Sequence, residues 1–211
     1  MNEQETIATY ERNILACWES RSEQDDSEGL NWYRLANVQA CLLAERIGQN
    51  PNAGAGILAA LSPGNSWERN VSDAWLLVDE WKNGARGRKL PTVGVYGRRN
   101  RDKAIACLRG KDPARVLGGD KVLAFYESIA SPEGHSRVCV DRHARAIAHG
   151  GVRGLAEDFA RFGRAEYRRV ATAYTNVAAK LGIPPSHLQA VTWVSHKRKK
   201  IATARTATAS S

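Results

Sequence analysis

The chain has 211 residues, 43% of them apolar and 25% charged, a balance that lets a globular protein bury a core without disulfide or metal staples. No apolar run approaches the roughly 18 residues needed to cross a bilayer, and the polar start, MNEQETIATYERN, is not the pattern of a secretory signal. The net charge of +9 is unevenly placed: residues 1–83 carry 6 Lys and Arg against 13 Asp and Glu, and residues 84–211 carry 25 against 9. A C-terminal part this basic points to a polyanionic partner, of which nucleic acid is the commonest. Cys17, Cys41, Cys107 and Cys139 fit no metal or iron–sulfur spacing and read as reduced thiols of a cytoplasmic protein. No metal, cofactor or membrane contact is expected, and a monomer is the default.

Apolar residues at Ile7, Tyr10, Ile14, Leu15 and Trp18 predict a helix from Glu3 to about Ser20. The stretch 22–29, SEQDDSEG, reads as a polar break before a helix over 31–48, whose apolar side carries Trp32, Leu35, Val38, Cys41 and Leu42. A further helix over 57–61 ends at Ser62-Pro63-Gly64-Asn65, and Trp67 to Trp81 follows with helical spacing. Residues 83–100 read as a Gly- and Arg-rich loop with a short strand at 92–96. Helices are expected over 101–109, 121–130 and 141–149, one or two more within 155–181, and a last one over 186–194 introduced by Pro184-Pro185. Residues 196–211, basic and then small and polar, read as a disordered tail whose removal leaves a single helical domain, 1–195, folded. The class is all-α.

Three stretches carry candidate chemistry. In the first, the turn after Leu61 supplies Ser62, Asn65 and Asn70, side chains able to hydrogen-bond a planar ligand. In the second, Gly118-Gly119 before a helix lets backbone N–H groups approach a phosphate. Lys121 follows in the first helical turn, where a lysine is mildly unfavourable against the helix dipole unless an anion or a reaction uses its amine. In the third, Val138-Cys139-Val140 leads to Asp141, with Arg142, His143 and Arg145 behind it. Asp is a preferred helix N-cap, which would explain it structurally. A carboxylate at the core's edge also suits a reaction that develops positive charge on a sugar.

Together these pieces resemble the helix-hairpin-helix DNA glycosylase superfamily, the endonuclease III and MutY-like group, over about residues 55–150. The matches are Leu61-Ser62 with its turn, Asn70-Val71 in reversed order, Asn100 with Lys103-Ala104, the hairpin Leu117-Gly118-Gly119 with Lys121, and Val140-Asp141-Arg142-His143-Ala144-Arg145. The hairpin has no Pro, Arg142 stands where the family has Thr, and the cysteine cluster of endonuclease III is absent. The C-terminal part looks more like small phage-encoded relatives of that group.

The resemblance implies a compact multi-helix glycosylase-type fold and cleavage of the N-glycosidic bond of a flipped-out base. Asp141 would be the catalytic carboxylate, and Lys121 an amine able to add a lyase step. Ser62, Asn65, Asn70, Lys103, Gly118, Gly119, Arg142, His143 and Arg145 would contact DNA or base. Trp67, Tyr96 and Tyr126 are candidates for lining the space around the flipped base. Arg98, Arg99, Arg101 and Lys197 to Lys200 would add salt-sensitive affinity for phosphate. Two other readings stay open: a base-modifying enzyme on the same fold, and a DNA-binding module without chemistry.

Overall fold

Side chains set most of the helix starts. Asn2 accepts from the Glu5 backbone while Glu5 reaches back to the Asn2 N–H, a reciprocal cap. Ser22 and Asp25 repeat that exchange, with the Ser22 N–H donating to Asp25 Oδ2 at 2.9 Å and the Asp25 N–H to Ser22 Oγ at 3.1 Å. Asn50, Ser66, Asp112 and Asp141 cap four later helices. The computed structural model describes residues 2–151 and 163–209. Among them are α1 (Glu3–Glu19), α2 (Glu23–Ile47), α3 (Pro51–Leu61), α4 (Trp67–Lys82), α5 (Arg98–Leu108), α6 (Pro113–Val116), α7 (Asp120–Ala130), α8 (Arg142–Ala148), α9 (Arg164–Leu181) and α10 (Pro185–Ala209). A 3-10 turn spans Gly87–Lys89. There is no strand among the described residues, so the protein is all-α, and no helix among them is long and apolar enough to cross a membrane.

The chain comprises two compact units. One comprises the residues up to Tyr33 and those from Gly134 onward; the other is the continuous segment Arg34–Glu133.

In the discontinuous unit, α1 packs on α8, α9 and α10. Tyr10, Ile14, Val138, Val140, Ile147, Val170, Tyr174, Val177 and Leu188 form its core. α10 does not stop at 194: where a disordered tail was expected, the helix continues to Ala209. Arg198, inside the supposed tail, pairs with Asp25 at 2.6 Å and Glu28 at 2.8 Å, and Lys199 donates to Ser20 O at 3.0 Å. The acidic stretch 22–29 is correspondingly not a break but the first turns of α2, closed by the Ser22–Asp25 cap. The helical expectation for residues 155–162, and the last two residues of the tail, lie outside the described residues.

In the continuous unit, α3 is the centre, with Ala53 to Leu61 all buried between α4, α5, α6 and α7. An apolar surface all round is what a fully enclosed helix needs. A Cβ built on Gly54 would strike the Ala40 carbonyl of α2, and one on Gly56 would lie 2.8 Å from Cys107 Sγ. This close approach decides which face of α2 is buried. Ala36, Ala40, Leu43 and Ala44 face inward, while Leu35, Val38 and Leu42, expected in the core, are exposed. The close approach is at Ala40, which is small and buried, and Leu43 is buried on the same side of α2. The expected strand over 92–96 is a turn, entered with Val93 buried and Gly94 at φ 79°.

Candidate functional site

The most developed polar constellation belongs to the discontinuous unit and centres on Asp141. Val138, Cys139 and Val140 are buried and bring the chain to the edge of the core, where Asp141 caps α8. Asp141 Oδ1 accepts from the backbone N–H of His143 at 2.9 Å and of Ala144 at 2.8 Å. Asp141 Oδ2 accepts from the indole Nε1–H of Trp193 at 3.1 Å. The capping role is therefore real, and the second oxygen has a donor from another helix.

Trp193 gathers the rest. Its ring meets the ring of Trp32 at 5.7 Å and of His143 at 6.0 Å, both near edge-on, and Lys197 Nζ stands 4.2 Å from its centroid. The His143 ring lies 5.6 Å from that of His196. Burial pushes the His143 imidazole down to about 4; the Asp141 charge opposes this, and Arg142, His196 and Lys200 reinforce it. His196 is also lowered, chiefly by burial and then by Lys200. Arg142 is exposed and donates from Nε to His143 Nε2 at 3.3 Å, which leaves the proton of the neutral ring on Nδ1. One carboxylate thus stands among two neutral imidazoles and an indole, with Arg142, Lys197 and Lys200 at the margin.

Arg145 was expected to contact DNA, and the structure turns it inward. It is 5% exposed and holds Glu166 through Nε at 2.7 Å and Nη2 at 3.3 Å. Glu166 also lies 2.9 Å from His149 Nε2, which is 3.1 Å from the Tyr10 hydroxyl. Burial favours the neutral Glu166 carboxyl, but hydrogen bonds from Arg145 and His149 overcome it and hold the group below its usual range. This network ties α1, α8 and α9 together, so Arg145 is a structural residue. The basic run of α10 is partly consumed in the same way, Arg198 by Asp25 and Glu28, Lys199 by Ser20.

The remaining candidates lie in the continuous unit. Ser62 ends α3 with its hydroxyl on Ala59 O at 2.9 Å. Asn70, expected to meet a ligand, is 2% exposed and donates to Leu58 O at 3.0 Å, locking α4 onto α3. Asn65 Nδ2 and the Gly94 N–H both donate to Asp73 Oδ2 at 3.0 Å. That shared oxygen ties the α3–α4 turn to the 94–97 turn. Tyr96 leans over the first turn, 3.1 Å from a Cβ built on Gly64, yet remains 66% exposed beside exposed Val95, Arg98 and Arg99. Tyr126 is buried and belongs to the core; Trp67 is half-buried at the start of α4. Arg101 Nη2 stands 3.6 Å from Asp102 Oδ1, with its side chain 15% exposed.

At the α6–α7 turn, Gly118 and Gly119 are exposed, and α7 starts without a side-chain cap. Lys103 Nζ lies 3.6 Å from a Cβ built on Gly118, so α5 delivers an ammonium to this turn. Lys121 is half-buried in the first turn of α7. It belongs to the continuous unit and Asp141 to the discontinuous one.

Sequence reasoning missed Trp193, Trp32 and His196. The signal was the spacing 193, 196, 197, 200, which lies on one helical face once α10 is known to run through it. Among the described residues, no group of three or more His, Cys, Asp or Glu is placed to hold a metal ion. No curated protein and no solved structure matches the chain. One family matches it over residues 1–200, nearly its whole length, and the chain belongs to that family, DUF7178, a family of unknown function.

Proposed function

We propose that this protein is a DNA glycosylase-like enzyme acting on a flipped-out base, with Asp141 as its catalytic carboxylate. The observation that carries the reading is the Asp141 constellation: a carboxylate oriented by three N–H donors, with cationic Arg142, Lys197 and Lys200 beside it. A polyanion is drawn to such a margin, and a fixed carboxylate stabilises an oxocarbenium-like sugar. As the C–N bond breaks, water bonds to C1′, its proton passes to Asp141, and the base leaves and takes up a proton.

Two surfaces of the continuous unit support DNA as the partner. Exposed Val95 and Tyr96 beside Arg98 and Arg99 combine a stacking surface with phosphate-binding charge. The uncapped start of α7 with Lys103 at Gly118 offers N–H groups and an ammonium to a phosphate. We read α6, this turn and α7 as a shortened helix-hairpin-helix element, and Lys121 as the amine for a lyase step.

The test is a panel of duplexes carrying uracil, oxidised and 5-substituted pyrimidines, and 8-oxoguanine opposite adenine. Release of a free base is expected from at least one. Asp141→Asn, which still caps α8, should lower turnover by about a hundredfold or more while DNA affinity stays within about twofold. Borohydride should trap wild type on DNA, but not Lys121→Ala, if the lyase step occurs. Equal turnover in Asp141→Asn refutes the catalytic assignment. DNA binding that is absent at low salt, or indifferent to salt, refutes the partner. A changed base without release would point to base modification instead.

A further inference from the structure

We propose that Trp193 is a positioning residue for Asp141, selecting which lone pair of the carboxylate is left for chemistry; this rests on the reading of Asp141 as the catalytic carboxylate. A carboxylate offers about four acceptor sites. Two N–H groups of α8 occupy Oδ1, and the Trp193 indole occupies one site of Oδ2. The site that remains is on Oδ2.

Capping α8 does not need the indole. An N-cap works through one oxygen, and α8 has both of its first-turn bonds on Oδ1. With Oδ1 alone held, the carboxylate can still pivot about its last torsion, which is broad for Asp. The donor that stops the pivot comes from α10, 52 residues farther along the chain. It is also well braced, since Trp32, His143 and Lys197 surround the indole. Satisfying a half-buried indole N–H would need only a neutral acceptor. A charged acceptor makes the bond roughly twice as strong and more directional. The arrangement therefore fixes the plane of Asp141 from a second element, as a reacting carboxylate requires and a cap does not.

The experiment has a spectral and a kinetic arm. The chain has six Trp residues, so a ¹H–¹⁵N spectrum shows six indole N–H peaks, and Trp193→Phe identifies one by its loss. Trp193→Phe keeps an aromatic ring against Trp32 and His143. Asp141→Asn should displace the Trp193 peak by more than any other indole peak; a Trp193 peak that stays in place overturns the proposal. On a substrate that wild type turns over, Trp193→Phe should lower kcat about tenfold with KM and DNA affinity little changed. Adding it to Asp141→Asn should cost nothing more, whereas losses that multiply overturn the proposal. A wild type inactive on every duplex refutes the glycosylase reading alone, and the indole peak then decides the Trp193 bond by itself.

Discussion

Replacing Arg198 by Ala strips a guanidinium from a carboxylate whose side chain is only 4% exposed, that of Asp25. Removing one partner of a buried ion pair costs about 3–5 kcal/mol. Two features reduce this here. Arg198 is itself 38% exposed, so water screens the pair, and Asp25 keeps the Ser22 N–H on its other oxygen. We therefore expect a destabilisation well short of that of a fully buried pair, seen as a lower thermal midpoint. Lys200→Ala is the control, expected to change stability by about 0.5 kcal/mol or less.

The acid limb gives a second readout. Burial alone would raise the Asp25 carboxyl, and hydrogen bonds from Ser22 and Arg198 bring it below its ordinary value. Its folded pKa is thus depressed. Its contribution is complete above the unfolded carboxylate value, about 3.9, and disappears as pH falls through the lower folded value. The gap between wild type and Arg198→Ala should be steady from neutrality to about pH 5 and close below about pH 4. Circular dichroism melts across that range measure it. A variant within about 1 °C of wild type at neutral pH, or a gap that widens in acid, refutes the reasoning. Deletion of residues 196–211 should cost at least as much as Arg198→Ala, contrary to the expectation that the tail is dispensable for folding.

Gly54→Ala drives a methyl into the Ala40 carbonyl and should cost about 3 kcal/mol or more, visible as lost soluble yield or a fall in thermal midpoint; an unchanged melt would mean that α2 and α3 do not approach as described. His143 should titrate by NMR with a midpoint near 4, so it is neutral at physiological pH; stability should rise with pH between that value and the unfolded midpoint near 6.5, and a measured midpoint above about 6 contradicts its burial. The Cys107 thiol, pushed up to about 12 chiefly by burial, should resist alkylation in the native protein and react on unfolding, whereas labelling at the rate of half-buried Cys41 would refute its placement.

Much of the helix pattern was legible because it is local. Alternating three- and four-residue spacings gave α1, α4 and α7, and Asp141 could be read as a helix start because capping involves residues two and three places away. What failed depended on distant partners. The stretch 22–29 looks like a loop until Arg198 neutralises Asp25 and Glu28, and 196–209 looks unstructured until those carboxylates anchor it. Each segment supplies the evidence for the other, across more than 160 residues. The buried face of α2 differs for a related reason: hydrophobicity favours Leu35 and Val38, but Gly54 of α3 meets the backbone of Ala40, and the face that carries Ala40 is the buried one. In the site, Asp141 carried its own signal, whereas Trp193 looked like any core aromatic. Arg145 resembled a phosphate ligand because nothing near it in sequence announces Glu166.

The division of the chain has a consequence for biosynthesis. Arg34–Glu133 is uninterrupted, and α4, α5, α6 and α7, the neighbours of α3, all lie within it. α1 emerges from the ribosome before the inserted segment, and its partners α8, α9 and α10 emerge after it. Closing a loop of about 100 residues to bring them together costs roughly 4 kcal/mol in chain entropy, a cost that the intervening unit removes if it has already condensed and shortened the effective span. The nascent chain therefore has an intrinsic order, in which the inserted segment matures while the first helix waits exposed. Ile14 and Tyr10, buried in the finished molecule, are the surface that a chaperone or a neighbouring nascent chain would meet during that interval.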